Sequence, residues 1–363
     1  MRRNFNSLSK KEFLFFLILV VNKKIVLLKY FRLLLFPFAL LYGVAVQLRN
    51  LFFDLGFFSS KKFNTPSLGV GNLSMGGTGK SVVVTYLIDL LQKTKTLATL
   101  SRGYGRKTKG IRIANNNDNA STLGDEPFQF LNRYSNLSVI VSENRVLGME
   151  SLKTLNPVPE VVIMDDIMQH RWVKPGLLIM TTDYNNPYFK DHILPVGRLR
   201  EFKSGVNRAD LILITRSPRG LSSVKKDKFL EGIKSNIPVF FTTIKYDNLL
   251  YKKDHNKSDL ELIKGNFILV TGIADSSQMI AYLESKFSSF THLKFPDHHH
   301  FSNDDVQKIL KASKNKIIVT TEKDYGRLSP LINDDKLYYM KISLDFIFNK
   351  EKIKFDKIIL DAI

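Results

Sequence analysis

Gly71 to Ser81, reading Gly-Asn-Leu-Ser-Met-Gly-Gly-Thr-Gly-Lys-Ser, constrains this chain more than any other stretch. The apolar run Leu68 to Val70 leads in, and an apolar helical pattern, Val82 to Leu91, leads out. Strand, glycine-rich turn and Lys-Ser at a helix start form the context of a phosphate-binding loop. Glycines let backbone N–H groups turn inward around phosphate oxygens, and the helix N-terminus adds a favourable field. The loop proper is Ser74, Met75, Gly76, Gly77, Thr78, Gly79, Lys80 and Ser81, with Ser74 where the strict pattern has its first glycine. Lys80 would reach the β- and γ-phosphates of a nucleotide, and the Ser81 hydroxyl would bind Mg²⁺.

Short apolar runs follow at βα spacing: Leu97 to Leu100, Ser138 to Val141, Glu160 to Met164, Leu177 to Met180 and Leu211 to Ile214. Alternation of such strands with helical or loop segments predicts a mostly parallel sheet covered on both faces. The run ending in Asp165-Asp166 fits a Walker B strand, whose aspartate orients Mg²⁺. Three polar stretches lie at strand ends or turns. Ser101-Arg102-Gly103-Tyr104-Gly105-Arg106-Lys107 places cations where α/β sheets hold ligands, although a solvated basic loop has the same pattern. Gly124-Asp125-Glu126-Pro127 holds two carboxylates at a turn, either of which could cap a helix. Leu194 to Glu201 is a Pro/Gly loop with Arg198, Arg200 and Glu201, open to reading as an exposed ion-pair cluster. Asn115 to Asn119 reads as a mobile turn.

After Lys225 the chain turns charged and polar, which puts a domain boundary near residue 230. Beyond it strands are expected at Val239 to Ile244, Phe267 to Thr271, Ile317 to Thr320 and Leu337 to Ile342, with a surface loop over Tyr251 to Asp259. Pro296-Asp297-His298-His299-His300 is the histidine cluster. Neighbours in extended chain point to opposite faces, so one ion could take His298 and His300 at most. With no cysteine in the chain, a proton-accepting histidine fits better than a zinc ligand. Thr321-Glu322-Lys323-Asp324 is a further polar stretch at a strand end.

The 54 basic and 34 acidic side chains leave a net charge of +20, which favours an anionic partner: a phosphorylated substrate, a nucleic acid or a membrane face. The absence of cysteine excludes disulfides and thiol nucleophiles and suits a reducing compartment. Phe13 to Val21 is an unbroken apolar run behind Arg2, Arg3, Lys10 and Lys11, without a small-residue cleavage site after it. Leu33 to Leu48 is uncharged but shorter than the roughly 20 residues of a spanning helix. Lengthening it takes in Arg32 or Arg49, each costing about 2.5–3.5 kcal/mol at a bilayer centre. A helix lying in the interface, with Lys29, Arg32 and Arg49 on anionic headgroups, is the easier arrangement.

Taken in order, these stretches resemble the tetraacyldisaccharide 4′-kinases, membrane-associated enzymes that phosphorylate the lipid A precursor. The resemblance runs through Arg49-Asn50 with Asp54 and Gly56, Gly71-Asn72 with Gly76 to Ser81, and Ser101 to Tyr104. It continues through Gly124 to Pro127, Asp165-Asp166 with Gln169-His170-Arg171, Leu199-Arg200-Glu201, Asp297-His298-His299 and Thr321 to Asp324, about residues 33 to 345 in all. Residues 1 to about 30 have no clear counterpart, and Ile167-Met168 stands where the family usually has Gly-Phe.

The resemblance implies an α/β chain in three parts. These are an N-terminal membrane-associating segment (1–56), a P-loop NTPase-like, mostly parallel kinase domain (57–230) and a smaller α/β domain (231–363) closing over the site. It implies transfer of the ATP γ-phosphate to the 4′-hydroxyl of an acylated glucosamine disaccharide 1-phosphate. The expected place is the cytoplasmic face of the inner membrane of a Gram-negative-type bacterium. Asp125 and His298 would activate the acceptor. Asp165, Asp166, Gln169 and Glu201, with Ser81, would sit near Mg²⁺. Asn72, Arg102, Arg145, His170, Arg171 and Arg200 would contact phosphates or substrate.

Two other classes compete. A membrane-tethered P-loop ATPase switch or assembly factor would use the same loop but would not need Asp125 and His298 to act together. As a GTPase the chain lacks the Asn-Lys-x-Asp base-reading motif, since Thr215-Arg216-Ser217 follows the Leu211 strand. A nucleic-acid binder would fit the charge, but no helix-turn-helix, zinc or RNA-binding signature is present, so no nucleic-acid partner is expected.

Overall fold

The computed structural model describes residues 34–363 apart from 253–256, 264 and 333–334. The Phe13 to Val21 run, Lys29 and Arg32 therefore lie outside the described residues, as does the middle of the Tyr251 to Asp259 segment.

Helix α1 (Leu34–Asp54) comes first. The first half of the chain then runs β1 (Ser67–Gly71), α2 (Lys80–Leu91), β2 (Leu97–Ser101), β3 (Arg112–Ile113), α3 (Ala120–Leu123), α4 (Asp125–Arg133), β4 (Leu137–Val141), α5 (Arg145–Ser151), β5 (Val161–Asp165), β6 (Leu177–Asp183), β7 (Leu211–Thr215) and α6 (Ser223–Leu230). The second half runs β8 (Val239–Tyr251), β9 (Lys257–Asp259), β10 (Phe267–Thr271), α7 (Ser277–Glu284), β11 (Thr291–Lys294), α8 (Asn303–Ser313), β12 (Ile317–Thr321), α9 (Glu322–Leu328), β13 (Leu337–Phe346) and α10 (Asn349–Asp361).

The strands join one continuous sheet in the order β11-β10-β12-β13-β8-β7-β6-β1-β5-β2-β4-β3, with β9 on β8. Pairing is parallel except at β3·β4, β8·β9 and β13·β8. β1, β2, β5, β6 and β7 are buried along their whole length, which is why they read as unbroken apolar runs and not as alternating ones. The expected strands are present, and β8 and β13 run furthest past their apolar signal. β8 and β13 run on through polar residues because they pair with each other from Thr242↔Phe346 to Tyr251↔Tyr339.

Strand pairing and core contacts run across residue 230. The first residues of β8 pair with β7, Ile212↔Val239 to Ile214↔Phe241, and the rest with β13. Leu344, Phe346, Phe355 and Ile359 then return to pack with Leu68, Val83, Leu87 and Phe130 of the first core. The smaller body is therefore built around the buried β10, β12 and neighbouring helices, and the C-terminal helix belongs to the larger one. Asn115 to Asn119 is also more tightly held than its composition suggests. Asp118 accepts from Arg112 and Thr122, and Asn119 caps α3 in a capping box.

Candidate active site

β1 ends at Gly71, and a side chain there would strike Met168 Cβ at 2.6 Å. Ile167 and Met168, where the sequence departs from the family pattern, fill space under the acidic pair and are buried. The loop that follows is braced from several sides. Asn72 Nδ2 donates to Ser74 O at 2.7 Å and to Thr78 Oγ1 at 2.8 Å, and Thr78 Oγ1 meets Thr181 Oγ1 at 2.8 Å. Thr215 Oγ1 donates to Thr78 O at 2.9 Å. Met75 N donates to Arg198 O at 2.6 Å, and Arg200 N to Leu73 O at 2.7 Å, so the 198–200 segment holds the loop's outer edge. Ser74, in the place of a glycine, forms an isolated antiparallel bridge with Leu199. Gly76 and Gly79 take φ of 96° and 80°, conformations that a side chain would strain. No side chain caps α2 at Gly79, which leaves its first N–H groups for a ligand's oxygens.

Positive charge converges on that end. Lys80 Nζ lies 3.2 Å from Asn72 Oδ1 and 3.5 Å from Asp166 Oδ1. Arg200 forks onto Asp166 with bonds of 2.9 and 2.8 Å and donates to Asn72 O at 2.9 Å. Partial burial would raise the Asp166 carboxyl, but Arg200 and Lys80 outweigh it and hold it well below the usual carboxylate range. Asp165, at the end of β5, is 6% exposed, and burial pushes its carboxyl up to about 6 against the pull of Lys80. Its Oδ1 has no hydrogen-bond partner, and neither do Gln169 Oε1, His170 Nδ1, Arg145 Nε or Arg200 Nε. Buried polar atoms are rarely left unpaired, so such a cluster marks a place completed by a ligand. Burial, then the charge of Arg145, pushes the His170 imidazole down to about 4, and burial brings Arg145 down to about 10, so the imidazole is neutral and the guanidinium charged at neutral pH. Arg102 is exposed, with its charge felt by both.

Two of the residues expected near metal or phosphate are engaged by protein groups. Glu201, expected near Mg²⁺, has both oxygens occupied: Arg208 donates to them at 2.7 and 2.8 Å, Asn50 at 3.0 Å and Gln169 at 2.8 Å. With those donors in place it braces Gln169, whose Nε2 also reaches Asn72 O at 2.9 Å. Arg171, expected on a phosphate, faces α1. It donates to Asn50 O at 2.8 Å and to Asp54, with its guanidinium 4.9 Å from the Phe53 ring centroid. Among the described residues no group of three or more His, Asp or Glu is arranged as a metal cage.

A second cluster of polar side chains brings the two halves of the chain together. Asp125 opens α4 behind Gly124, whose φ is 93° and whose added Cβ would meet Tyr104 O at 2.7 Å. His298 sits at φ 55°, its N–H bonded to Gly272 O at 3.1 Å, and its Nδ1 lies 2.7 Å from Asp125 Oδ2. His299 does not share that site: its Nε2 meets Asp305 Oδ2 at 2.9 Å and its ring stacks on Phe295, which fixes the loop. The bond to Asp125 raises the His298 pKa above its ordinary value. Along α4, the same face carries Glu126 to Lys323, and Gln129 and Arg133 to Glu322 at 2.7 and 3.2 Å. The sequence reading missed Arg208, which nothing in its surroundings marks, and Arg327, which bonds to Asp125. Arg327 lies three residues past Asp324 on a helix, a spacing that puts both on one face.

Comparison with known proteins identifies the family. A sequence profile described as tetraacyldisaccharide-1-P 4′-kinase matches residues 31–363. The tetraacyldisaccharide 4′-kinase of Flavobacterium psychrophilum is 42% identical, over 93% of this chain and 98% of its own length. That of Bacteroides thetaiotaomicron is 36% identical over 87% and 90%. The crystal structure of LpxK from Aquifex aeolicus in complex with ATP superposes with a TM-score of 0.73 at 29% identity, covering 92% of this chain and 99% of that one. This chain belongs to the tetraacyldisaccharide-1-P 4′-kinase family.

Proposed function

We propose that the chain transfers the γ-phosphate of ATP to the 4′-hydroxyl of a tetraacyl glucosamine disaccharide 1-phosphate, with the phosphate loop as donor site and Asp125–His298 as acceptor site. The observation that carries the division is the 2.7 Å contact of His298 with Asp125, made between the two bodies, with Glu126 and Lys323 beside it close enough for their charges to act on Asp165. A switch ATPase has no use for a carboxylate–imidazole pair assembled in this way.

In the reaction the 4′-oxygen attacks Pγ, the Pγ–O bond to ADP breaks with its electron pair, and the hydroxyl proton passes to the pair. Phosphoryl transfer asks for positioning and neutralisation of the equatorial oxygens more than for covalent chemistry. Lys80, the uncapped α2 terminus, Arg200 and Arg145 supply that charge. Before nucleotide binds, Asp166 occupies Lys80 and Arg200, and phosphate oxygens would compete for the same donors. The residues fit a hard divalent cation: Asp165 offers a buried, unpaired oxygen and Ser81 a hydroxyl, an all-oxygen set of the kind Mg²⁺ takes with phosphates and water. Bound there, Mg²⁺ would neutralise charge on the β- and γ-oxygens.

α1 supports a site at the cytoplasmic membrane face. Only 17% of its apolar window is buried, and Leu34, Phe36, Phe38, Leu41 and Leu48 are exposed. A contiguous apolar face of this kind is expected against lipid. Its other edge, Ala39, Gly43, Asn50 and Phe53, packs on the site, and Asn50 bonds to Glu201. Incubation with radiolabelled ATP and the disaccharide 1-phosphate lipid should give a bis-phosphorylated lipid. ATP hydrolysis with no label in lipid would replace this reading with the switch.

A further inference from the structure

Arg327 has no part in the reading above, yet it touches the acceptor pair. Its Nε donates to Asp125 Oδ1 at 2.9 Å, and its NH2 donates to Asp125 Oδ2. The same NH2 lies 3.2 Å from His298 Nδ1. NH1 donates to Asp324 Oδ1 at 3.0 Å and to Gly272 O at 3.3 Å. Asp324 is itself fully buried and fixed by Gly272 N and the Thr321 hydroxyl, both at 2.8 Å. The guanidinium is 7% exposed and held on both sides.

We infer that Arg327 is the positioning residue of the acceptor pair: by occupying both oxygens of Asp125 and being itself held by Asp324, it fixes the carboxylate that orients His298 and sets the charge around it. This rests on the kinase reading above. A carboxylate gripped by a guanidinium fork and also accepting from an imidazole has little basicity left. Burial alone would raise the Asp125 carboxyl, but His298 and Arg327 hold it well below the usual range. Nδ1 of His298 then donates to Asp125 as an N–H, and the second nitrogen carries the lone pair. That nitrogen is 3.9 Å from its nearest carboxylate, Asp297 Oδ1, beyond hydrogen-bond reach. The step balances simply: the 4′-O–H proton goes to Nε2 as the oxygen bonds to Pγ, leaving an imidazolium paired with Asp125.

The groups that reach His298 are Asp125 and Glu126 from α4, Arg327 from α9, Asp297 from its own loop and the Tyr104 ring. Arg327 is the cation that shares the Asp125 oxygens with His298. Removing its charge leaves Asp125 uncompensated, which favours the imidazolium and raises the pKa of His298.

The acidic limb of the kcat/KM pH profile of the full chain should therefore move up by about one pH unit in Arg327→Gln. Its kcat should fall at least about tenfold while KM for ATP holds within about twofold. Arg327→Lys keeps the charge without the fork, so its limb should stay at the wild-type position with kcat between the two. A limb that does not move in Arg327→Gln overturns the inference, because loosened packing alone lowers kcat without moving a titration. Wild-type protein gives an independent reading if the variants do not fold. ¹⁵N spectra of histidine-labelled enzyme, with His298 assigned by loss of its signal in His298→Gln, should show neutral His298 protonated on Nδ1. Protonation on Nε2 overturns the inference. If His298→Ala itself keeps wild-type turnover, it is the pair, and not Arg327, that has been misread.

Discussion

The phosphate loop is held within one body, whereas the acceptor pair joins two. Asn72, Thr78, Thr181 and Thr215 brace the loop from the ends of adjacent strands β1, β6 and β7, and Arg200 and Lys80 converge on it from the same body. On the acceptor side Asp125 stands on α4 of the larger body and His298 on a loop of the smaller, with the α4–α9 contacts fixing their approach. Nucleotide binding should therefore depend on one body and turnover on both.

The sharpest test of that difference is on the pair itself. Asp125→Asn and His298→Ala should each lower kcat by on the order of 10²–10⁴, the range of a general base. ATP should still raise their melting temperature as it does in wild type, and wild-type turnover in either variant would break the assignment. Lys80→Ala should show the opposite pattern, with the ATP-induced rise in melting temperature lost and turnover down by on the order of 10²-fold. Glu322→Ala touches neither site but removes the acceptor shared by Gln129 and Arg133. If the seam sets the closed state, kcat should drop about tenfold, equivalent to about 1.4 kcal/mol of closed-state population, at unchanged ATP affinity. Equal losses of ATP affinity and kcat would show that the two walls are not independent.

The smallest effect is on stability. The folded state holds the Asp165 carboxyl at about 6, above its ordinary 3.8, so protonation favours folding and stability is lost as pH rises through that window. A tenfold difference in proton affinity between folded and unfolded chain is worth about 1.4 kcal/mol, so at neutral pH, without nucleotide or metal, Asp165→Asn should be more stable by up to about 3 kcal/mol. It should also be inactive, and Mg²⁺ should raise the melting temperature of wild type but not of the variant. Chemical denaturation at pH 7 with chelator and with Mg²⁺ separates these outcomes.

Much of this was legible because fully buried parallel strands write themselves as short apolar runs, and a glycine loop before Lys-Ser has few other uses. The ordered polar motifs singled out Asp125 and His298, 173 residues apart, and the fold brings them within 2.7 Å. What stayed hidden depends on pairing across long separations. The polar halves of β8 and β13 carry no strand signal of their own and exist because they bond to each other. α10 reads as an ordinary surface helix until Phe355 and Ile359 are seen against the first core. Arg208 and Arg327 are two of 54 cations, and only the fold shows which carboxylates they meet. For Glu201 and Arg171 the resemblance implied metal and phosphate contacts, and the partners they have among protein groups, Arg208 and Asp54, could be seen only in the fold.

The paired strands β8 and β13 have one more consequence. The chain leaves the larger body along one and returns along the other, bonded from Thr242↔Phe346 onward, so the bodies are joined by a ribbon and not by a loose tether. A tether would let His298 sample a wide volume and would dilute it at Asp125. A ribbon restricts the excursion to bending and twist, which keeps the effective concentration of one wall at the other high. Were the two walls to part and meet again during turnover, the α4–α9 contacts would need to supply only a marginal bias, and the ribbon would bring the walls back in register.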